Sequence, residues 1–337
     1  MTAPAFSIVV PTYNRSSLVV ATIESVLSQD FENFELLVVD DGSTDDTESV
    51  VRRIRDARIR YHKKPNGERS AARNHGTALA RAPYVNFVDS DDLVYRHHLT
   101  TAWNFIDERE QPEVFHLGYN IKEPGGRLVR RVDRLPKQIN RDIILGNFLS
   151  CNGVFLRQDI ARAHPFNERL SASEDYELWL RLASRYPLWC ENTVTSTIIE
   201  HPARSVMLTD KKALLRRVQV LLESLDGDAA FMRQYGAVYS RFLSRLLAYV
   251  ALHLAMEPSN QLDSLRCLGR AVIEDPGVLW SRQFFGVLKR NLLAMARGMT
   301  TASCTTDTET SDLLEWIRLR GGRGGRVQRE SSGFRKS

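Results

Sequence analysis

Short runs of β-branched and apolar residues, each followed by a polar turn and mostly by a helical pattern, fill the first hundred residues. Phe6-Ser-Ile-Val-Val10 reads as a buried strand that Pro11 stops, because proline removes a ladder donor. A helix is predicted over 17–29, where Val19, Ile23, Val26 and Leu27 share one side. Further strands are predicted at 35–39, 58–62 and 84–88, with a helix over 69–81. This alternation specifies an α/β chain whose strands run parallel and are joined by right-handed crossovers. In such sheets ligands bind beyond the carboxyl ends of the strands, so the residues that follow each strand carry the functional reading.

Past residue 93 the pattern is mixed: a helix over 96–109, a strand at 113–118 and a hairpin around Gly125-Gly126. A helix over 172–185 follows, then two strands at 188–190 and 195–200. Helical spacing dominates from 206, residues 301–312 read as a linker, and the closing Arg-Gly-Gly-Arg-Gly-Gly-Arg segment is expected to be disordered. The division predicted is a catalytic domain over 1–205, a helical region over 206–300, and a linker with a basic tail over 301–337.

Charge argues against the class that it first suggests. The chain carries a net +5 and a pI near 9.1, which invites nucleic acid. Residues 318–337 hold seven Lys/Arg against Glu330, so the rest is close to neutral and no nucleic-acid partner is expected. Residues 206–300 hold thirteen Lys/Arg against eight Asp/Glu. Together with Trp280, Phe284 and Phe285 beside Lys289 and Arg290, this suggests peripheral contact with an anionic membrane, packing on the catalytic domain, or a homodimer interface. The most apolar run, 246–256, falls short of the roughly 20 residues that a span needs. Cys151, Cys190, Cys267 and Cys304 lie far apart, and residues 1–6 lack a signal-peptide pattern, so a cytoplasmic location is expected.

The strand ends supply the chemistry. After the first strand, Pro11-Thr-Tyr-Asn-Arg15 offers a hydroxyl, an aromatic face, an amide and a cation, a set that lines a base and ribose or forms an ordinary turn. After the second, Asp40-Asp41-Gly42-Ser43 places a carboxylate where a nucleobase N–H or ribose hydroxyl is bound, while Asp41 or Ser43 also suits a helix N-cap. Asn66-Gly67 opens a helix toward phosphate, with Arg73 on that helix. After the fourth strand, Asp89-Ser90-Asp91-Asp92 puts three carboxylates within four residues. A hard divalent cation relieves that repulsion and also holds a diphosphate; the alternative is a solvated acidic turn. In Ser173-Glu174-Asp175-Tyr176-Glu177-Leu178-Trp179, Asp175 shares a helical face with Trp179 and Leu182, as a general base or as a cap. Glu177 and Arg181 form a structural i,i+4 pair, and His201 is a metal ligand or an ordinary histidine.

Taken together, Ser7-Ile-Val-Val-Pro-Thr-Tyr-Asn-Arg15, Leu37-Val-Val-Asp-Asp-Gly-Ser-Thr-Asp45, Arg73-Asn-His-Gly76, Phe87-Val-Asp-Ser-Asp-Asp92 and the segment at 173–179 resemble the family 2 glycosyltransferases, in order and spacing. The resemblance covers roughly 5–205. It implies a GT-A fold, a Rossmann-like mixed sheet flanked by helices, with a nucleotide-sugar half over 1–92 and an acceptor half over 93–205. It also implies a nucleotide-sugar donor (a UDP-sugar favoured), Mn²⁺ or Mg²⁺, inversion at the anomeric carbon, and a glycan or lipid-linked acceptor. Position by position, Pro11, Thr12, Tyr13 and Asn14 would line the nucleoside pocket with Asp41, Gly67 and Ser90 close by. Asp40 would bind the base and Arg73 would lie by the nucleotide. Asp89 and Asp91 match the DxD pair, Asp92 competes for the metal, and His201 matches a histidine near the metal and diphosphate. Asp175 matches the catalytic base, with Glu174 beside it. The QxxRW motif and membrane helices of polymerising members are missing, which favours transfer of one or a few sugars. The competing readings are a nucleotide-sugar-binding protein without chemistry and a nucleotidyltransferase. A dinucleotide dehydrogenase is excluded by the lack of GxGxxG after the first strand.

Overall fold

The computed structural model describes residues 3–200, 210–296 and 308–330. The chain divides into two compact units, Met1–Ile143 with Asn147–Leu208, and Ile144–Gly146 with Thr209–Ser337.

In the first unit the opening alternation folds as β1 (Phe6–Thr12), α1 (Val19–Leu27), β2 (Phe34–Asp40), α2 (Thr47–Arg53), β3 (Ile59–Lys63), α3 (Glu68–Leu79) and β4 (Tyr84–Phe87). Strands β1, β2 and β4 are buried along their whole length, because helices cover both faces of a parallel sheet. The parallel half runs β3-β2-β1-β4, with Phe6 opposite Phe34 and Tyr84. Gly76 of α3 is required by close packing: a Cβ there would stand 2.3 Å from Val9 Cγ1.

The sheet then changes direction. After β5 (Leu93–Val94) and α4 (His98–Glu108) come β6 (Val114–Lys122), β7 (Leu128–Val132), β8 (Val154–Arg157), α5 (Gln158–Ala163), α6 (Glu174–Ala183) and β9 (Leu188–Ile199). The full order is β3-β2-β1-β4-β8-β6-β9-β5, with β7 paired to β6. β8 is antiparallel to both β4 and β6, which joins the second half to the first. The two strands expected at 188–190 and 195–200 are one strand, β9. Its register against β6 shifts around Gly118, and these irregularities interrupt the alternation that a sequence pattern follows. Gly118 is needed there, since a Cβ would meet the Asn192 carbonyl oxygen at 2.8 Å. His98 and His116 are both pushed down to about 3 by burial, so each sits in the core as a neutral hydrogen-bonding group.

The second unit is helical: α7 (Lys211–Asp226), α8 (Ala229–Tyr235), α9 (Tyr239–Leu254), α10 (Gln261–Glu274), α11 (Arg282–Ala296) and α12 (Thr308–Glu330). The apolar spacings at Leu214, Leu215, Val218, Leu222, Leu225 and along 242–254 signify packing, and those side chains are buried. The Arg-Gly-Gly-Arg-Gly-Gly-Arg segment, expected to be disordered, continues α12. Buried Leu313 and Ile317 anchor the start of that helix by packing, which offsets the poor helix propensity of its glycines. Trp280 and Phe285 are exposed, whereas Phe284 is half-buried. Among the described residues no helix is long and apolar enough to cross a membrane.

Candidate active site

The turns that follow β1, β2 and β3 are tied to one another. Asn14 adopts φ 50° and accepts from the Thr44 N–H at 2.8 Å, while its own N–H donates to Ser43 Oγ at 2.9 Å. Asp40 is fully buried, and its two oxygens accept from the Ser43 N–H (2.7 Å) and the Tyr61 hydroxyl (2.5 Å). Burial first, then this bond, pushes the Tyr61 phenol far up, so the hydroxyl stays a donor. Asp41 accepts from Lys64 Nζ at 2.6 Å and from the Gly67 N–H at 3.1 Å. Gly42 adopts φ +84° with the backbone of Asn66 only 3.0 Å from where a Cβ would be, so this turn is built for glycine. Capping, the simpler reading of Asp41 and Ser43, does not apply: α2 starts at Thr47 and the residue before it, Asp46, makes no side-chain cap bond. Pro11 and Thr12 are buried, and among the described residues Thr12 Oγ1 has no hydrogen-bond partner, while Tyr13 is 47% exposed.

The acidic turn after β4 separates its three carboxylates. Asp92 is fully buried; it accepts from Asn152 Nδ2 and from the Ile199 N–H, both at 2.9 Å. Its carbonyl accepts from Thr22 Oγ1 at 2.8 Å. Asp92 therefore ties the turn to α1 and to the end of β9. Asn152 also accepts from the Asp89 N–H at 3.0 Å, and Ser90 is buried. Asp89 Oδ1 meets Arg73 Nη2 at 2.6 Å, and Asp91 faces Arg15 at 3.9 Å.

Arg73 is 1% exposed, lies over the Phe166 ring, and donates from Nη1 to Glu174 Oε1 at 2.6 Å. One buried guanidinium thus joins the acidic turn to the first residue of α6, 101 positions along the chain. Glu174 is itself buried, and Arg69 approaches the same oxygen at 3.8 Å. Ser173, at φ 61°, turns the chain into α6, whose first turn holds Glu174, Asp175 and Glu177 at the favourable end of the helix dipole. Asp175 is half-buried and accepts from Asn147 Nδ2 at 3.0 Å and the Tyr176 N–H at 2.7 Å. Burial, and next the neighbouring Glu174 charge, raise its carboxyl to about 6; Arg73 and the two donors act the other way. Trp179 and Leu182 on the same helix face are buried, and Glu177 pairs with Arg181 at 2.8 Å as the spacing predicts.

His201 lies outside the described residues, and among those described no three metal-ligating side chains form a cluster. Asp89 and Asp91 remain as a pair of hard oxygen donors on one turn. That set suits a cation held by one or two carboxylates plus substrate phosphates, rather than a cage made by the protein alone. Sequence reasoning missed Asn147 and Asn152, which hold Asp175 and Asp92. Neither sits in a motif, and only the fold brings them to their partners.

A parallel half-sheet with polar strand ends, extended by a mixed half whose helix α6 carries paired acids, is the GT-A architecture of nucleotide-sugar transferases. The chain belongs to glycosyltransferase family 2. The family described as Glycosyl transferase family 2 matches residues 7–164. The chain is 30% identical over 219 residues to the Escherichia coli UDP-Glc:alpha-D-GlcNAc-diphosphoundecaprenol beta-1,3-glucosyltransferase WfaP, covering 64% of this chain and 84% of that protein. It spans less than a third of the length of several other curated relatives that it matches. The fold is similar to that of S. aureus TarS 1-349 in complex with UDP-GlcNAc (TM-score 0.64, 22% identity, 94% of this chain and 92% of that one). It is also similar to the mannosyltransferase PcManGT of Pyrobaculum calidifontis in complex with GDP-Man and Mn²⁺ (TM-score 0.52, 18% identity, 88% of each chain).

Proposed function

We propose that the chain transfers a sugar, with inversion, from a nucleotide diphospho-sugar to an acceptor hydroxyl on a glycan or lipid-linked intermediate of cell-surface polysaccharide synthesis. The observation that carries this reading is the Asp89–Arg73–Glu174 ion chain, which fixes the acidic turn relative to Asp175. Donor and acceptor must meet at one point, and a base on one element with diphosphate-holding groups on another requires that the two be locked together. The names of its relatives favour a UDP-sugar, with a lipid diphosphate among the candidate acceptors.

In this mechanism Asp175 takes the proton of the acceptor hydroxyl, whose oxygen attacks C1 of the donor on the face opposite the nucleotide. The C1–O bond to the diphosphate breaks as the new glycosidic bond forms, and the anomeric configuration inverts. A carboxyl raised to about 6 is ionised at neutral pH, yet basic enough for the proton to move to it in the transition state. Pro11, Thr12, Tyr13 and Asn14, with the turn at Asp40 and Asp41, form the nucleoside wall. Tyr13, exposed as Asn14 is, would stack its ring on the base. Asp89 and Asp91, with His201, would hold Mn²⁺ or Mg²⁺, which when bound neutralises the charge of the leaving diphosphate.

The test is Asp175→Asn. Transfer to acceptor should fall by about 10²–10⁴-fold, the range of a positioned base. UDP should still raise the melting midpoint, because the nucleoside wall is untouched. Wild-type transfer rates from the folded variant would refute the base assignment, and NMR showing retention of the donor anomer would refute inversion.

A further inference from the structure

We infer that the β6–β7 hairpin of the catalytic unit is a docking surface for an anionic lipid bilayer. This inference stands apart from the transfer chemistry and uses none of its residues. β7 is an edge strand paired to β6 on one side, and the first four of its five residues are exposed. An edge strand of a soluble fold normally shows polar side chains outward, yet Leu128 is 52% and Val129 47% exposed. Being consecutive, the two project to opposite faces, so neither is explained as the inward member of an alternating pair.

Around them the charge is of one sign. Residues 127–137 hold Arg127, Arg130, Arg131, Arg134 and Lys137 against Asp133 alone. Residues 1–205 as a whole hold 26 Lys/Arg against 28 Asp/Glu, so this concentration departs from its own unit. Arg127 pairs with Glu123 and Arg131 with Asp133, whereas Arg130, Arg134 and Lys137 make no ion pair among the described residues. Arg130, Arg131 and Arg134 line an open cavity of about 470 Å³ with Val132, Asp133 and Leu135. Several cations around a concavity match lipid phosphates, and two aliphatic side chains beside them match the acyl boundary, which a free phosphate would not use. Pro124, Gly125 and Gly126 at the tip carry no bulk that would keep the strand off a flat surface.

The experiment uses the full chain and sedimentation with vesicles of phosphatidylcholine alone or mixed with phosphatidylglycerol. Wild type should bind the mixed vesicles and not the neutral ones. Arg130→Ser, Arg131→Ser and Arg134→Ser together should weaken that binding by about tenfold or more. Leu128→Ser with Val129→Ser should weaken it without changing its salt dependence. Circular dichroism and the UDP-induced thermal shift report separately on folding and on the donor site. The proposal would be overturned by no binding of wild type, unchanged binding by the arginine variant, complete release by millimolar inorganic phosphate, or dimerisation that these same substitutions abolish. Loss of binding on Trp280→Ser with Phe285→Ser, with the hairpin variants unaffected, would place the membrane contact in the helical unit instead and overturn it too.

Discussion

The carboxylates after β2 and those around Arg73 are held in opposite ways. Asp40 and Asp41 meet donors of the chain itself at every oxygen, from Ser43, Tyr61, Lys64 and Gly67. They brace one turn against the next. Around Arg73, one guanidinium bonds two carboxylates, and Asp175 beside them accepts from the neutral donors Asn147 and the Tyr176 N–H. A carboxylate that is buried beside another negative charge, as Asp175 is beside Glu174, is drawn toward its acid form. The first pair braces its turns, and in the proposed mechanism Asp175 is the carboxylate that meets the acceptor.

Removing the shared cation should produce the largest effect on stability. Arg73→Met takes the close cation from buried Glu174, leaving Arg69 at 3.8 Å, and should cost about 3 kcal/mol, read by urea unfolding. A cost below about 1 kcal/mol would mean that the ion chain is ornamental and that the contrast with the β2 turn is wrong. Next, Asp40→Ala should destabilise by about 1–3 kcal/mol, because the Ser43 N–H and Tyr61 hydroxyl lose their acceptor. Asp91→Asn, on the acidic turn, should instead change stability by less than about 0.5 kcal/mol while weakening Mn²⁺-dependent donor affinity. Equal stability losses in these two variants would erase the distinction.

The comparison also extends to pH. Asp175 rises from an ordinary 3.8 to about 6 on folding, so the native state holds its proton more tightly than the unfolded chain. The stability that this contributes is fully present below pH 3.8 and is lost as pH rises through about 6. Asp175→Asn should therefore flatten the stability profile between those limits in denaturant titrations. In the wild type the acid limb of kcat/KM should fall near pH 6; a limb near 4 would return Asp175 to the ordinary carboxylate range.

How far the sequence was legible follows the same boundary. The parallel half is readable because buried strands are local apolar runs and Gly42 and Gly67 mark turns; Pro11, expected to stop β1, instead lies within it opposite Val39, and the strand runs on to Thr12. The second half was less so: β9 was split in two, since its bulges answer to Gly118 on a strand some seventy residues earlier. Acidic motifs were visible, but not their division of labour. Asp92 was weighed as a metal ligand with Asp89 and Asp91, and only the arrival of Asn152 and the end of β9 shows it bonded within the protein.

The sequence by itself determined the family, the succession of strands and helices in the parallel half and the residues that lie at the strand ends, because those depend on periodicity and on short polar turns. The tertiary structure decided which charges are shared. Arg73 has no local signal that it belongs to Glu174 rather than to a phosphate, and Asp175 none that Asn147 holds it. Those assignments come from contacts across more than two dozen residues, where burial sets the energy of each charge and no local pattern records it.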